Sequence, residues 1–479
     1  MKRLWTATIP AAVLLLPLAA CTASDGNGGT ADMAAPEAAQ EEYGINDATD
    51  PNEDPQSTFA LDVDTASYDY ARSALQDGYL PPEDQIRPEE FVNYFDQGYA
   101  EPEGNGFAIT VDGAELPDWY EDDATHLMRV GLQTRTAPDE ERRDVNLTFV
   151  IDVSGSMDGD RIAIVRDALH TLVDNLRPGD SVAIVTYETD SEVLQGMTEV
   201  EDGEELHDAI DELEARGSTN MEAGLEDGYE LAGEAFESDK DNRVILLSDG
   251  EANVGLTEHD DMLEKLGPDI ADGITLLTVG VGDSYNQQLL EQLADNGDGW
   301  AVFFSTASGA ERVFSERLTS TLGLTARDAK IQVTFDPETV ADYRLIGFEN
   351  RAIEDEDFEN DDEDGGEVGP GHSVTALYAL TLTGEGGDLA GVEVRWQDPD
   401  TREPDTATAE LTAESFGESA LPSLDVDLVA AAFAEALRGG ANFDCEQILP
   451  AANALAEASD DPDVKELAEL IALAVDLGA

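Results

Sequence analysis

A chain of 479 residues is too long for one ordinary core, and a hydrophobic share of 41% is ample for two or three domains. Its 107 acidic residues against 25 basic ones give a formal net charge of −82, which repels phosphate backbones and anionic headgroups and excludes nucleic acid as a partner. Lysine occurs only as Lys2, Lys240, Lys265, Lys330 and Lys465, and such a balance fits either a salt-rich habitat or an acidic secreted surface in ordinary medium.

The first twenty residues read as a signal peptide. Lys2 and Arg3 precede the apolar run Ala11–Ala20, which is too short to span a bilayer. Leu18, Ala19 and Ala20 before Cys21 resemble the bacterial lipobox, in which the cysteine is acylated, by palmitate among other chains, and becomes the mature N-terminus. There is no twin arginine, so the general secretory route is implied. The expected location is the cell membrane or outer membrane, lipid-anchored through Cys21 and facing away from the cytoplasm. Residues 21–56 are mostly Ala, Gly, Asp, Glu, Asn and Pro and read as a solvated, disordered tether. Cys445 then lacks an intramolecular partner, so no disulfide framework exists and a buried, inert thiol is expected.

Residues 57–143 read as a mixed α+β segment. Phe59–Val63 alternates like a strand, Ala66–Asp77 is helical, Pro81 and Pro82 break the chain, and Pro88–Phe95 opens a helix with proline and acids in its first turn. Phe107–Val111 and His126–Leu132 look like strands with one wet face. Residues 144–322 change character. The apolar strands Val145–Ile151, Ser181–Val185, Arg243–Leu247, Ile274–Val279 and Trp300–Phe304 alternate with helices at Arg161–Leu176, Glu204–Ala215, Met221–Phe236 and Gln287–Ala294. That order predicts an α/β, doubly wound and mostly parallel sheet covered on both faces, with ligands at the carboxyl ends of its strands. Residues 323–412 return to a β-rich pattern, with strands at Ala329–Phe335, Ser373–Leu380 and Val392–Trp396, and residues 413–479 are helical. Neither flank alone has enough strands for a stable sandwich, so the α/β part is read as an insertion in one β-rich domain.

The first strand of the α/β part runs into Asp152, Ser154 and Ser156, a D-x-S-x-S pattern whose alternate residues point one way and bring their oxygens to one ion. Two further loops supply the rest. Gly217–Asn220 opens the helix at Met221 and carries Thr219, and a buried strand ends in Asp249. Taken alone, Thr219 reads as a helix N-cap and Asp249 as part of a turn; in order, at strand ends and helix starts, the five read as a metal site. Hard oxygen donors select Mg²⁺ first, with Mn²⁺ or Ca²⁺ as substitutes.

This set resembles the metal-ion-dependent adhesion site (MIDAS) of von Willebrand factor type A (VWA) domains. The resemblance implies that Ser154, Ser156 and Thr219 bind the ion directly while Asp152 and Asp249 act largely through water. The ion is then under-neutralised, with an open position for a partner's Asp or Glu. Phe59–Tyr68, Pro81–Pro82, Glu90–Phe95, Tyr343–Arg351 and Gly366–Tyr378 resemble the bacterial YfbK-type VWA lipoproteins, a likeness covering nearly everything after the tether. What it implies is a metal-dependent protein-binding module of the envelope. The alternatives are a scaffold subunit of an envelope complex and an envelope enzyme. The second finds no support in the five scattered histidines, in any G-x-S-x-G elbow, or in a base paired with the signature serines.

Two weaker signals remain. Asp158 and Asp160 stand where some related domains carry an adjacent metal site, though a solvated helix N-terminus is the simpler reading. The acidic run Glu354–Asp364 fails the calcium-loop pattern, since Asn360 stands where glycine belongs, and reads as a solvated loop. The anchor makes a direct prediction: Cys21→Ser should release the protein from the membrane pellet or stall its processing. Unchanged mature mass and membrane partition would refute the lipidation.

Overall fold

Two patterns of apolar residues, alternating and continuous, sort the strands into two kinds of sheet. The computed structural model describes residues 44–479, apart from 121, 139–141, 202, 251–269, 271–272, 283–286, 317, 362, 385, 414–415, 417–419 and 440–442. The signal peptide, Cys21 and the tether up to residue 43 lie outside the described residues.

In chain order the first elements are β1 (Gln56–Ala60), α1 (Ala66–Gln76), α2 (Pro88–Asn93), β2 (Phe107–Glu115) and β3 (His126–Thr134). There follow β4 (Val145–Asp152), α3 (Asp160–Asn175), β5 (Ser181–Tyr187), β6 (Ser191–Glu199), α4 (Glu204–Asp211) and α5 (Met221–Glu234). Next come β7 (Asp241–Ser248), β8 (Ile274–Val281), α6 (Gln287–Asp295) and β9 (Trp300–Phe304), then helical turns between Ala307 and Leu322. The chain continues through β10 (Ala326–Phe335), β11 (Val340–Ile346), β12 (Gly366–Val368), β13 (Ser373–Leu382), β14 (Asp388–Gln397) and β15 (Pro404–Thr412). It ends in α7 (Leu424–Leu437), α8 (Cys445–Ala458) and α9 (Pro462–Leu477).

The α/β part forms one sheet in the order β6-β5-β4-β7-β8-β9, parallel except at β6. Every residue of β4 and β8 is buried because helices cover both faces. Leu147, Phe149 and Ile151 pack with Val165 and Leu169 of α3, and Val150 and Leu246 with Leu225 and Tyr229 of α5. The polar edge strand β6 escapes a search for apolar runs; it returns antiparallel to β5 and stays largely in contact with solvent.

The flanks build two more sheets. One runs β1-β10-β14-β15 with β12 against β10, and the other β11-β13-β3-β2. Strands from before and after the α/β part pair directly, β1 with β10 and β3 with β13, so the insertion reading holds. The two sheets share a core of Phe59, Met128, Val130, Ile331, Phe335, Tyr378 and Val394, among others. The other face of the β11-β13-β3-β2 sheet, through Leu127, Leu377 and Ala379, packs on α1, α2 and the C-terminal helices. Arg129 of β3, fully buried, holds Asp112 through two parallel bonds of 2.9 and 2.7 Å and reaches Asp427 of α7 at 2.7 Å. Residues 57–143, 323–412 and 413–479, read from sequence as three segments, are thus interleaved.

The tether also ends earlier than its composition indicates. Asn46 donates to the carbonyls of Leu345 and Gly347 at 3.1 and 2.8 Å, and Thr49 exchanges backbone bonds with Tyr343. Residues 44–56 are therefore pinned along the edge of β11. Backbone pairing of this kind leaves no mark in side-chain composition. Cys445 is buried as expected, and burial pushes its thiol up to about 12. No described helix is long and apolar enough to cross a membrane.

The seam between the two parts is charged. Asp64 accepts from the Ala301 amide at 3.1 Å, and Arg351 pairs with Asp295 at 2.8 Å. Beside them Glu89 and Glu90 of α2 are 1% exposed, and neither carboxylate oxygen of Glu89 has a hydrogen-bond partner among the described residues. Burial first, then Glu349 and Asp62, push Glu89 up to about 7 from an ordinary 4.5. Asp64 and Glu90 shift upward for the same leading reason. The folded state therefore holds more protons than the unfolded one from the ordinary carboxylate range up to about pH 7, and stability falls as pH rises through that window. The melting temperature should climb as pH drops from 8 to 5.5. Glu89→Gln should raise it at pH 8 by roughly 2–6 °C and flatten the slope. A variant with the parent's slope would remove Glu89 from this account.

Candidate metal centre

The site is a consequence of strand register. In β4 and β7, Ile151 lies level with Leu247, so the chain past Asp152 emerges beside Ser248 and Asp249. In β5, Tyr187 lies level with Asp152 on the other side. The loops after β4 and β7 therefore leave the carboxyl edge of the sheet together beside the end of β5, where such folds bind ligands.

Asp152 and Asp249 are both fully buried. One Asp152 oxygen accepts the Ser154 amide at 2.8 Å, while the other accepts the Ser248 hydroxyl at 2.9 Å and the Tyr187 hydroxyl at 3.4 Å. Burial still raises this carboxyl to about 6, with Asp249 adding to the shift and the Ser154 and Ser248 bonds opposing it. The Ser154 and Ser156 hydroxyls stand 3.0 Å apart.

The second loop is tied to the first. The Gly155 amide donates to the Gly217 carbonyl at 3.2 Å, and the Arg216 amide to the Val153 carbonyl at 2.6 Å. Gly217 sits at φ +77°, a conformation that costs a side-chain-bearing residue about 1 kcal/mol or more. The cap of α5 is Asn220, which accepts from the Ala223 amide at 3.3 Å. Thr219, 1% exposed, is therefore not the helix cap that it resembles in isolation. Gly224 gives α5 the closeness to Tyr187 that this placement needs, since a Cβ there would overlap the ring.

The third loop is joined to the first by a residue that sequence patterns passed over. Arg161, in the first turn of α3, donates to the Ser156 carbonyl at 3.1 Å and to Asp249 at 2.9 Å. Ser248 and Tyr187 were likewise passed over. Their only signal is position, at strand ends flanking the aspartates. Asp158 and Asp160 are exposed, and neither carboxylate bonds to any of the five. In the acidic run, Asp355 accepts from Thr58 at 2.6 Å and Asp361 pairs with Arg395 at 2.7 Å, so part of that loop is docked rather than solvated.

The described residues contain no cluster of three or more His, Cys, Asp or Glu arranged to hold a metal. This site differs in kind, with two carboxylates and three hydroxyls as its donor set. Every donor is a hard oxygen, and two buried acids at neighbouring strand ends favour a cation between the loops.

The sheet order and these loops define a VWA domain, and the von Willebrand factor type A model matches residues 146–316. Proteins with this domain generally use it for protein–protein interaction. A second model, described as von Willebrand factor, matches residues 36–129, and one described as YfbK, C-terminal, matches residues 320–389. An uncharacterised YfbK of Escherichia coli K12 is 35% identical over 381 residues, covering 73% of this chain and 66% of that protein. The chain belongs to the YfbK-type family of VWA proteins. The uncharacterised protein sll0103 of Synechocystis is 30% identical over 41% of this chain, and the match covers 47% of its own length. The inter-alpha-trypsin inhibitor heavy chain H1 of Mesocricetus auratus is 29% identical over 33% of this chain and 18% of its own. Matches thus span about two thirds, half and under a fifth of these relatives. A solved von Willebrand factor type A protein from Catenulispora acidiphila is 17% identical, with a TM-score of 0.46 over 78% of this chain and 87% of that one.

Proposed function

We propose that this chain is an envelope-anchored binding protein whose adhesion site captures a carboxylate of a protein partner through a divalent ion, Mg²⁺ first. The observation that supports the proposal is a pair of fully buried aspartates at neighbouring strand ends, with Ser154 and Ser156 beside Asp152 and the loop that carries Thr219 tied to theirs by backbone bonds. Ser154, Ser156 and Thr219 would hold the ion, with Asp152 and Asp249 supporting it through water. Bound there, the ion supplies an under-neutralised positive centre with a position left for a partner's Asp or Glu. Anchoring through Cys21 would present the domain outside the cytoplasm.

Arg161 refines the reading. Its guanidinium bridges the first and third loops as a cation would, and it offsets the charge of Asp249. It therefore repels an incoming metal while leaving the loaded site more positive toward an anionic partner. The large negative surface charge binds divalent ions weakly in many places, so the comparison has to be made against a disabled site.

In Mn²⁺ titrations at moderate salt, the parent should show a tight class of sites that Asp249→Ala and Ser156→Ala both lack at unchanged folding. Arg161→Gln should bind about tenfold more tightly while losing stability in chelator, and Arg161→Lys should stay near the parent. Proteins retained from envelope extract in Mg²⁺ should elute with EDTA and fail to bind Asp249→Ala. Equal retention in all three conditions would refute metal-mediated recognition. A tight Mn²⁺ site left unchanged by Arg161→Gln would refute the arginine's role alone.

A further inference from the structure

A cleft elsewhere on the molecule shares no lining residue with these loops. It has a volume of about 490 Å³ and runs between the β9 edge of the α/β sheet and the flank. Trp300, Phe303 and Arg312 come from one side, and Arg72, Tyr94 and His372 from the other. That volume lies in the range of small-molecule sites.

Its charges are distributed unusually for this chain. Arg72 and Arg312 both donate to the Tyr94 hydroxyl, and each guanidinium lies over the Tyr94 ring, at 5.6 and 5.5 Å. Arg72 also pairs with Asp69 and, at 3.6 Å, with Glu466. Arg312 makes no ion pair among the described residues, although acids outnumber bases more than fourfold in the sequence. Behind the cleft wall, Arg243 lies 4.3 Å over the Trp300 ring and bonds Thr275 and the Thr321 carbonyl, with Asp241 acting on it at a distance and no ion pair among the described residues. Of the acids that line the cleft, Asp96 and Glu101 are exposed at its rim, with Asp96 accepting the Gly98 amide and Glu101 the Thr136 hydroxyl.

Asp69 and Asp463 act on Arg312 only at a distance, a half-buried guanidinium without a direct ion pair among the described residues is costly, and an arginine fork matches a carboxylate in shape. A second one, wholly buried behind Trp300, adds to the same positive field. Arg312 itself begins a π-helical turn, Arg312–Glu316, a geometry often found at functional sites. We infer that this cleft is a binding site for a small molecule carrying one carboxylate, held by Arg312 and Arg72 with its body against Tyr94 and Trp300. One negative charge is favoured over two because Asp69, Asp96 and Glu101 also line the cleft. Both sides of the cleft come from different parts of the fold, so such a ligand would clamp the VWA domain against its flank.

Trp300 supplies the readout. The full chain would be titrated at fixed high ionic strength with acetate, N-acetylalanine and N-acetylphenylalanine, with the primary amide of the last, and with inorganic phosphate. Tryptophan emission should change saturably with at least the aromatic acid. The amide should bind at least tenfold more weakly, and so should the acid to Arg312→Gln. Asp249→Ala should bind like the parent, which separates this site from the metal centre. Arg312→Lys, keeping the charge but not the fork, should fall between. No saturable response to any of the acids would overturn the proposal. So would equal binding of acid and amide, tighter binding of phosphate, or a parent-like Arg312→Gln whose melting temperature shows that it is folded.

Discussion

Two buried carboxylates on neighbouring strands are the constraint around which the α/β part is arranged. Asp152 and Asp249 have no exposed surface, and each lies in the other's field. Burying like charges side by side is unfavourable unless donors and a cation compensate. The protein supplies the Ser154 amide, the Ser248 and Tyr187 hydroxyls and the Arg161 guanidinium. Each compensating group comes from a different element, so the arrangement requires β5, β4, β7 and the start of α3 to be in register. The site is therefore a product of the whole sheet rather than of one motif.

Much of this was legible in the chain because it is local. A continuously apolar strand ending in an acid and followed by alternating hydroxyls leaves a clear mark at β4, and β5, β7, β8 and β9 show as short apolar runs. What was missed depends on long-range partners. Arg161 looks like any basic residue in a helix's first turn until Asp249, far along the chain, is beside it. β6 and β15 carry polar residues along much of their length, and their strand character comes from the neighbours they pair with. Residues 44–56 have a tether's composition but are held by the backbone of β11. The insertion was inferred from what each flank lacked, and the pairing of β3 with β13 realises it.

The flanking module also shows how a chain with net charge −82 uses its few cations. Arg129 and Arg351 each serve more than one carboxylate in the interior, and Arg344 joins Asp122 and Glu435. Breaking such a buried network by removing one partner is costly, because the remaining acids stay buried without a counter-charge. Scarce arginines thus set the relative position of sheet, helices and inserted domain. The same scarcity gives Arg312 and Arg243, which make no ion pair among the described residues, their significance beside the cleft.

The central claim is that the loops at Asp152, Thr219 and Asp249 hold a divalent ion in a specific place. Acid-rich surfaces take up cations everywhere, so location decides the question better than stoichiometry. Crystals soaked in Mn²⁺ and measured at the manganese absorption edge give that location through anomalous scattering. A strong peak is expected among Ser154, Ser156 and Thr219, with Asp152 and Asp249 close by and a coordination position left for an outside oxygen. Strong peaks elsewhere with none at this site, at a Mn²⁺ concentration that saturates binding in solution, would contradict the claim.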